Sequence, residues 1–196
     1  MSSERTVGVL GLGSMGMGVA LTLVEHQFAV RGYDVRQEAM DSLVEAGGAV
    51  GKTPADVVAG CGTVIILVVN ARQVEEVLFG ENGAVAGMAK GTVVLQSSTV
   101  PADFARSCAE RLAEHGMIML DTPVSGGAAG ARSGNLSVMA SGPSDGFDAP
   151  PRFWRQSRAR STGLAMRWAS ARRSKRSTSF SPAFTSPRPP RPWLSA

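Results

Sequence analysis

Three glycines at the spacing G-x-G-x-x-G directly follow a short apolar run near the N-terminus, and they constrain the fold more than any other feature of the sequence. The apolar run is residues 6–10, the glycines are Gly11, Gly13 and Gly16, and a helical pattern continues to His26. The first glycine permits a tight turn, the second lets backbone approach a pyrophosphate, and the third lets the helix pack on the strand. This glycine turn therefore predicts a dinucleotide-binding unit with phosphates at the helix N-terminus.

A carboxylate ends the second predicted strand. That strand covers residues 28–34, and Asp34 follows the glycine turn by about 20 residues, where a carboxylate can bond a ribose 2′-hydroxyl and repel a 2′-phosphate. We therefore expect NAD as the cofactor. NADP is the less favoured alternative, and it stays open because Arg36 nearby can tolerate a phosphate. The other alternative is an ordinary glycine-rich turn with a solvated aspartate.

Candidate helices and strands alternate along the next hundred residues. The candidate helices cover residues 37–46, 54–59, 71–79 and 101–115, and the candidate strands cover 63–69, 92–96 and 117–121. The run 63–69 is apolar and rich in β-branched residues, which is typical of a strand buried on both faces. The alternation predicts an α/β fold with a doubly wound, mostly parallel sheet. In such sheets ligands bind beyond the carboxyl ends of the strands.

Polar or glycine-rich segments follow three of these strands. They are Val69 with Asn70, residues 97–99, and the segment from Asp121 onward. Asn70 and Thr99 could each cap the following helix or face a ligand. Ser125, Gly126 and Gly127 present backbone amides that can hold a carboxylate, as successive amides do in anion-binding nests. The three segments are therefore the candidates for ligand contact.

The cysteines and histidines predict no metal site. Cys61 and Cys108 have no metal-like spacing and are expected to be buried, reduced thiols. His26 and His115 each lie at a predicted helix end, where surface or capping roles are expected. No run approaches the roughly 18 apolar residues of a bilayer span, and the N-terminus lacks the basic start of a secretory signal. The sequence thus predicts a cytoplasmic protein with no membrane partner.

The basic charge of the chain is confined to its last quarter. Residues 1–150 hold all 16 acidic residues and 9 of the 20 basic ones, whereas residues 151–196 hold 11 bases, no acid and all three tryptophans. We expect a folded domain over residues 5–147 and an Arg/Ser/Pro-rich, disordered tail over 148–196. The alternative is a genuine basic arm that binds nucleic acid or another partner by phosphate neutralisation and stacking. No specific nucleic-acid partner is predicted, although non-specific binding by the tail is expected.

These motifs resemble the β-hydroxyacid dehydrogenases. The resemblance rests on the glycine turn, the turn 97–99, and the run 121–127 with the small residues behind it, while residues 64–80 look most like those of the L-threonate dehydrogenases. It implies oxidation of a small hydroxy acid with hydride transfer to NAD, by an intact protein that forms a homo-oligomer. The implied cofactor contacts are Gly11, Leu12, Gly13, Ser14, Met15, Gly16, Asp34, Val69, Asn70 and Thr99. The implied substrate-carboxylate contacts are Ser125, Gly126 and Gly127.

The same resemblance implies a catalytic lysine that the tail does not supply. In the family this lysine acts as general acid and base on a helix with the pattern G-S-x-x-K-x-x-N, which leads into an all-α second domain. The tail has no such pattern, and Lys175 does not match it. A frame shifted by two bases permits a lysine and an asparagine at that spacing within residues 171–187. We therefore expect a frameshift near residues 148–152 and a truncated enzyme without turnover.

Overall fold

The computed structural model describes residues 5–147 and the strand Arg167–Ala169. The strands are β1 (Thr6–Leu10), β2 (Ala29–Tyr33), β3 (Ala49–Val50), β4 (Thr63–Ile66), β5 (Val93–Gln96), β6 (Ile118–Asp121), β7 (Val124–Ser125), β8 (Ser137–Met139) and β9 (Arg167–Ala169). The helices are α1 (Ser14–Glu25), α2 (Gln37–Glu45), α3 (Pro54–Val58), α4 (Ala71–Phe79), α5 (Ala102–Glu114) and α6 (Gly127–Arg132). Short 3-10 helices lie at Ala84–Ala86 and Ser144–Phe147.

Six strands form one parallel sheet in the order β3-β2-β1-β4-β5-β6. This order confirms the predicted doubly wound α/β fold. Because the strands run in one direction, their C-terminal ends lie together, at what we call the carboxyl end of the sheet. The strand order reverses between β1 and β4, and the crevice outside such a switch point is where these folds bind ligands. A second sheet has the order β7-β8-β9.

Helices bury both faces of the large sheet. Successive side chains of a strand point to opposite faces, so Val7 and Val9 of β1 pack in the layer of α1, α2 and α6, whereas Leu10 packs in the layer of α3, α4 and α5. Leu43 of α2 and Leu112 of α5 are fully buried in these two layers. Burying each such leucine contributes roughly 1.5–3 kcal/mol. The apolar, β-branched strands predicted from the sequence serve this two-sided burial.

The fourth strand is three residues shorter than predicted and ends at Ile66. Beyond it, the N–H of Val68 donates to Ser98 Oγ at 2.9 Å, and the N–H of Val69 donates to Gln73 Oε1 at 2.8 Å. Side chains thus take the place of a strand partner, and the backbone leaves the ladder. Val69 is consequently 81% exposed instead of buried.

The other predicted elements match the structure to within about two residues at each end, but helix α6 was not predicted. Its sequence, Gly-Ala-Ala-Gly-Ala-Arg, has low helix propensity at two of six positions. Tertiary packing supplies its stability, because small residues let α6 approach α1 closely. A Cβ atom on Gly18 would lie 2.7 Å from the Ala131 Cβ, and Thr22 Oγ1 donates to the Ala131 carbonyl at 2.8 Å.

The predicted tail, residues 148–196, lies outside the described residues except for β9. This strand pairs in parallel with β8, with Val138 opposite Trp168. The domain division at residue 147, the disorder of the tail and the frameshift therefore stay predictions. Within residues 5–147 and 167–169, no helix is long and apolar enough to cross a membrane.

The cysteines and histidines lie where the sequence places them. Cys61 and Cys108 are free and buried, and burial raises the pKa of each thiol to about 11. His26 is the C-cap residue of α1, with Nδ1 2.8 Å from the Thr22 carbonyl, and His115 is the C-cap residue of α5. In the part of the chain that the structure describes, no group of three or more His, Cys, Asp or Glu side chains could hold a metal ion.

Candidate functional site

Two glycines of the glycine turn are required by the fold itself. Gly11 has φ of +94°, and a Cβ atom there would lie 2.5 Å from the Leu67 carbonyl oxygen. A Cβ atom on Gly16 would overlap the Gly11 carbonyl oxygen. The N–H of Gly11 also donates to the Tyr33 carbonyl at 2.9 Å, which joins the turn to the end of β2. These residues therefore close the turn between β1 and α1 tightly against the segment just after β4.

Gly13 is different, because nothing in the described protein occupies the space next to it. It is the N-cap residue of α1 with ordinary backbone angles, and a Cβ atom there would have no neighbour within 4 Å. No side chain caps α1, and the first N–H groups of a helix have no partners within the helix. The open backbone, the free amides and the positive end of the helix dipole fit a pyrophosphate that approaches closely.

Asp34 lies beside this turn and is ionised. Its side chain is only 9% exposed, and Oδ2 accepts the Leu12 N–H at 2.7 Å. Arg36 donates its backbone N–H and Nε to Oδ1, each at 3.0 Å, and Nη2 to Oδ2 at 3.3 Å. Burial alone would raise the pKa of this carboxyl, but the hydrogen bonds from Arg36 and Leu12 and the guanidinium charge hold the pKa below its usual range.

The contacts of Asp34 restrict how it can bind a ribose. A carboxylate accepts about four hydrogen bonds, and the Leu12 amide and Arg36 already supply four donors. A ribose 2′-hydroxyl must therefore replace one of them. The Arg36 side chain is 61% exposed and is the replaceable donor, whereas the two backbone amides are fixed by the chain.

Asn70 caps the helix that follows it. Its Oδ1 accepts the Gln73 N–H at 3.0 Å, and the Gln73 side-chain oxygen in turn accepts the Val69 N–H. The structure thus confirms the capping interpretation of Asn70 and still leaves its side-chain amide group exposed. Val69 and Asn70 both lie in the exposed loop after β4.

Thr99 does not cap a helix. The N-cap residue of α5 is Pro101, with no side-chain cap, so the capping alternative for Thr99 is wrong. The Thr99 side chain is exposed and forms no hydrogen bond with any described residue. The two preceding residues are buried instead, and Ser97 Oγ lies 2.9 Å from Thr122 Oγ1. Of these residues, Thr99 is the one available to a ligand.

The segment 125–127 joins β7 to α6. Gly126 and Gly127 have φ values of +133° and +62°, which L side chains rarely adopt, and Ser125 is exposed with no side-chain partner among the described residues. No side chain caps α6 at Gly126. Just before this segment, Asp121 is half-buried, and burial raises the pKa of its carboxyl.

The parallel sheet brings most of the predicted site residues together. Leu10 is level with Tyr33 and Ile66, Ile66 with Gln96, and Gln96 with Asp121. The segments after these strands therefore meet at the carboxyl end of the sheet. They are the glycine turn, Asp34, Val69 with Asn70, residues 97–99, and Asp121. The segment 125–127 lies farther along the chain and is tied to the glycine turn through the packing of α6 on α1.

Sequence reasoning missed two contributors to this region. Arg36 is bound to Asp34 and is not merely its neighbour, and Gln96 with Ser98 forms buried hydrogen bonds beneath the turn 97–99. A glutamine that ends an otherwise apolar strand was the available signal for the second, because a buried amide needs hydrogen-bond partners.

Comparison with known proteins identifies the class of site. Residues 6–153 match the family described as the NAD-binding domain of 6-phosphogluconate dehydrogenase. The chain belongs to this family. This NAD-binding domain is 49% identical over 144 residues to L-threonate dehydrogenase of Cupriavidus necator, a match that covers 74% of this chain and 48% of the relative. It is 35% identical over 149 residues to mitochondrial 3-hydroxyisobutyrate dehydrogenase of Mus musculus, covering 76% and 44%.

Solved structures agree with these relatives. The 3-hydroxyisobutyrate dehydrogenase of Salmonella typhimurium has a TM-score of 0.70 and 37% identity, covering 74% of this chain and 50% of that one. The Mycobacterium tuberculosis enzyme of the same name, with L-serine, has a TM-score of 0.68 and 30% identity, covering 78% and 49%. The NAD-binding domain thus confirms the predicted cofactor and the resemblance to hydroxyacid dehydrogenases. The chain spans about half the length of the curated relatives that it matches.

Proposed function

We propose that residues 5–147 are the cofactor-binding half of an NAD-dependent dehydrogenase for L-threonate or a similar small hydroxy acid, such as 3-hydroxyisobutyrate. The observation that carries this proposal is the open backbone at Gly13, at an uncapped helix N-terminus and beside the ionised Asp34. The similarity to L-threonate dehydrogenases supports the substrate class.

Different residues at the carboxyl end of the sheet contact different parts of the cofactor. The amides of Gly13 to Gly16 face the pyrophosphate, with the α1 dipole favouring its charge, while the Leu12 amide stays bound to Asp34. Asp34 accepts a hydrogen bond from the adenosine ribose 2′-hydroxyl, which replaces the Arg36 side chain as donor. Val69, Asn70 and Thr99, on the opposite side of the glycine turn, contact the other half of the cofactor. When bound, NAD supplies the acceptor for the substrate hydride.

The substrate carboxylate binds at the segment 125–127. The positive φ values and the exposure of Gly126 and Gly127 suit an anion-binding nest of successive amides, and the exposed Ser125 hydroxyl can add a third donor. Charge-assisted bonds of this kind are roughly twice as strong as neutral ones. These groups would orient the acid so that its hydroxyl-bearing carbon faces the nicotinamide.

The chain as it stands binds NAD without turnover on this proposal. Proton transfer needs a positioned acid and base, and the tail offers no residue that matches the family's lysine. We attribute this to a shift of frame near residues 148–152. Sequencing the gene across codons 147–160 tests it: a long shifted frame that encodes the lysine and asparagine supports the shift, whereas a confirmed stop after Ala196 makes the tail a genuine basic arm.

Titration of the chain with NAD tests the binding site. Gly13→Ala is expected to fold like the unaltered chain and to weaken NAD binding about tenfold or more, since a loss of 1.4 kcal/mol is a factor of ten. Gly8→Ala is the matched control in β1, because its Cβ atom fits with its nearest neighbour at 3.4 Å, away from the site. Isothermal calorimetry and thermal melting measure both properties. Equal NAD affinities for the two variants would overturn the proposal.

A further inference from the structure

The side chain of Gln96 lies at the end of β5 and folds back onto its own chain. Nε2 donates to the Ser98 carbonyl at 2.9 Å, and Oε1 accepts the Ser98 N–H at 2.7 Å. Gln96 is fully buried at 0% exposure. One amide thus pairs with both backbone groups of a single residue, as a neighbouring strand would. This pairing fixes the path of the turn that carries Thr99.

Ser98 joins that turn to the loop after β4. Its Oγ accepts the Val68 N–H at 2.9 Å, and Ser98 is itself buried. We call the Gln96 and Ser98 side chains with these bonds the turn clamp. Ser97, bonded to Thr122, links the same turn to the segment after β6. Loops that follow three adjacent strands are therefore held together beneath the surface.

The residues bonded in the turn clamp directly precede two exposed residues in the sequence. Thr99 follows Ser98 directly, and Val69 follows Val68 directly, and both side chains are exposed at the carboxyl end of the sheet. A buried amide contributes little net stability over a well-packed apolar side chain, since its hydrogen bonds chiefly offset its own desolvation. A polar residue at position 96 is thus better explained by the geometry that it imposes.

The position of the clamp in the sheet indicates which half of the cofactor it serves. Asp34 follows β2 on one side of the glycine turn, whereas Thr99 and Val69 follow β5 and β4 on the other. A dinucleotide that crosses the switch point with its adenosine ribose at Asp34 must extend its nicotinamide riboside over β4 and β5. Accordingly, we propose that Gln96 is a positioning residue that sets Thr99 and Val69 against the nicotinamide half of NAD. This inference rests on the proposed function.

Two ligands separate this role from a general loss of structure. ADP-ribose shares the adenosine and pyrophosphate of NAD and lacks the nicotinamide. In the full chain, Gln96→Met keeps the side-chain volume and removes both bonds, so NAD affinity is expected to fall about tenfold while ADP-ribose affinity stays within about twofold. Gln96→Glu is expected to regain NAD affinity as pH is lowered, since a protonated carboxyl can replace the amide as donor and acceptor.

Thr22→Val is the control, because it removes a buried hydrogen bond from α1 far from β5, and its affinities for both ligands should match those of the unaltered chain. If Gln96→Met does not fold, Ser98→Ala removes the two bonds of the Ser98 hydroxyl, from the Val68 N–H and to the Ile66 carbonyl, and should show the same split between the ligands. An equal loss for NAD and ADP-ribose, or no loss for either, overturns the role of Gln96. Failure of the unaltered chain to bind NAD overturns the proposed function instead.

Discussion

At single residues of the glycine turn, an added Cβ atom has opposite consequences. At Gly13 the added atom meets open space, so it would weaken the binding of a ligand there and leave the fold unchanged. At Gly16 it would overlap the Gly11 carbonyl oxygen. The repeated glycine spacing in the sequence does not distinguish these two roles. The structure separates Gly13, which leaves the backbone open, from Gly16, which the fold of the turn requires.

Gly16→Ala is therefore expected to lower the free energy of unfolding by about 2 kcal/mol or more, since a backbone oxygen can move away only by shifting the turn. Urea titration followed by circular dichroism measures this change. Gly8→Ala serves again as the control and should differ from the unaltered chain by about 1 kcal/mol at most. Equal stabilities for the Gly16 and Gly8 variants would contradict the packing at the turn.

The pairing of Arg36 with Asp34 predicts how the two nicotinamide cofactors are distinguished. Arg36→Ala removes three side-chain donor contacts from this corner and frees the Asp34 acceptors for a ribose hydroxyl. NADP affinity should fall about fivefold, because an exposed guanidinium–phosphate contact contributes about 1 kcal/mol. NAD affinity should stay the same or rise. Competition titrations with both cofactors measure the ratio, and an unchanged NADP affinity would contradict this assignment.

The half-buried carboxyl of Asp121 predicts that the stability of the chain falls as pH rises through the pKa of this group. Its pKa is raised in the folded chain above the ordinary value of 3.8. Between the pKa of the unfolded chain and that of the folded chain, the folded state binds more protons than the unfolded state, so the free energy of unfolding falls as pH rises through this interval. Asp121→Asn should be more stable than the unaltered chain at pH 7, with the difference vanishing toward about pH 4. Asp34, with a lowered pKa, contributes the opposite slope in both proteins and cancels. Urea titrations across this range test the difference.

Helices α3 and α4 begin at side-chain caps that are close in sequence. Thr53 and Asp56 form a capping box at the start of α3, and Asn70 caps α4. At the other end of α3, Arg31 donates to the carbonyls of Ala59 at 2.6 Å and Asp56 at 2.8 Å. The caps at the helix starts have recognisable local patterns, whereas the contact from Arg31 in β2 spans about 25 residues and needed the fold to reveal it.

Substitutions at Asn70 separate its cap from its proposed contact with NAD. Asn70→Ala should lower the free energy of unfolding by about 1 kcal/mol, as cap removal does. Asn70→Asp retains the accepting oxygen and should keep the stability, but it lacks the side-chain amide donor and should bind NAD less tightly. Thr53→Ala is the control, with the same loss of a cap and no change in NAD affinity. Unchanged NAD affinity in Asn70→Asp would remove Asn70 from the cofactor site.

Strand β4 and helix α6 show where sequence periodicity stops being informative. The apolar run 63–69 predicts seven buried residues, but β4 ends at Ile66, because the amides beyond it bind side chains from the turn after β5 and from α4. Helix α6 has too many glycines to be predicted, and it forms because small residues on α1 and α6 pack closely. In both cases at least one deciding partner is distant along the chain: Ser98 for the end of β4, and α1 for α6.

Across the whole domain, the two thiols report on the core. Cys61 and Cys108 both pack in the layer of α3, α4 and α5, and burial raises the pKa of each to about 11. Few thiolates therefore form near pH 8, and access requires opening of the core. A disulfide reagent such as DTNB is expected to react slowly with the native chain. In denaturant it should react readily with both cysteines.

NAD should slow this labelling, because a ligand that binds only the folded state stabilises it by about 2.7 kcal/mol at a concentration 100 times its dissociation constant. The rate of thiol release with and without NAD measures the effect. Gly13→Ala provides the control, since a tenfold weaker affinity should leave only about 1.4 kcal/mol of protection at the same NAD concentration and keep the slow basal rate. Fast labelling of the native chain would contradict the burial of the thiols.

The sequence by itself determines the architecture and the candidates for the cofactor site. Glycine spacing, apolar β-branched runs and the alternation of helix with strand are local patterns, and each specifies backbone geometry within about 20 residues. Asp34 and the segments after β4, β5 and β6 could be chosen as site candidates because parallel strands end on one side. Only the tertiary structure decides that Arg36 hydrogen-bonds to Asp34 and that β4 ends early. It also decides that the Gln96 side chain binds the backbone of the turn before Thr99. Those outcomes depend on which hydrogen-bond donors and acceptors meet when distant segments pack, and that pairing has no periodicity along the chain.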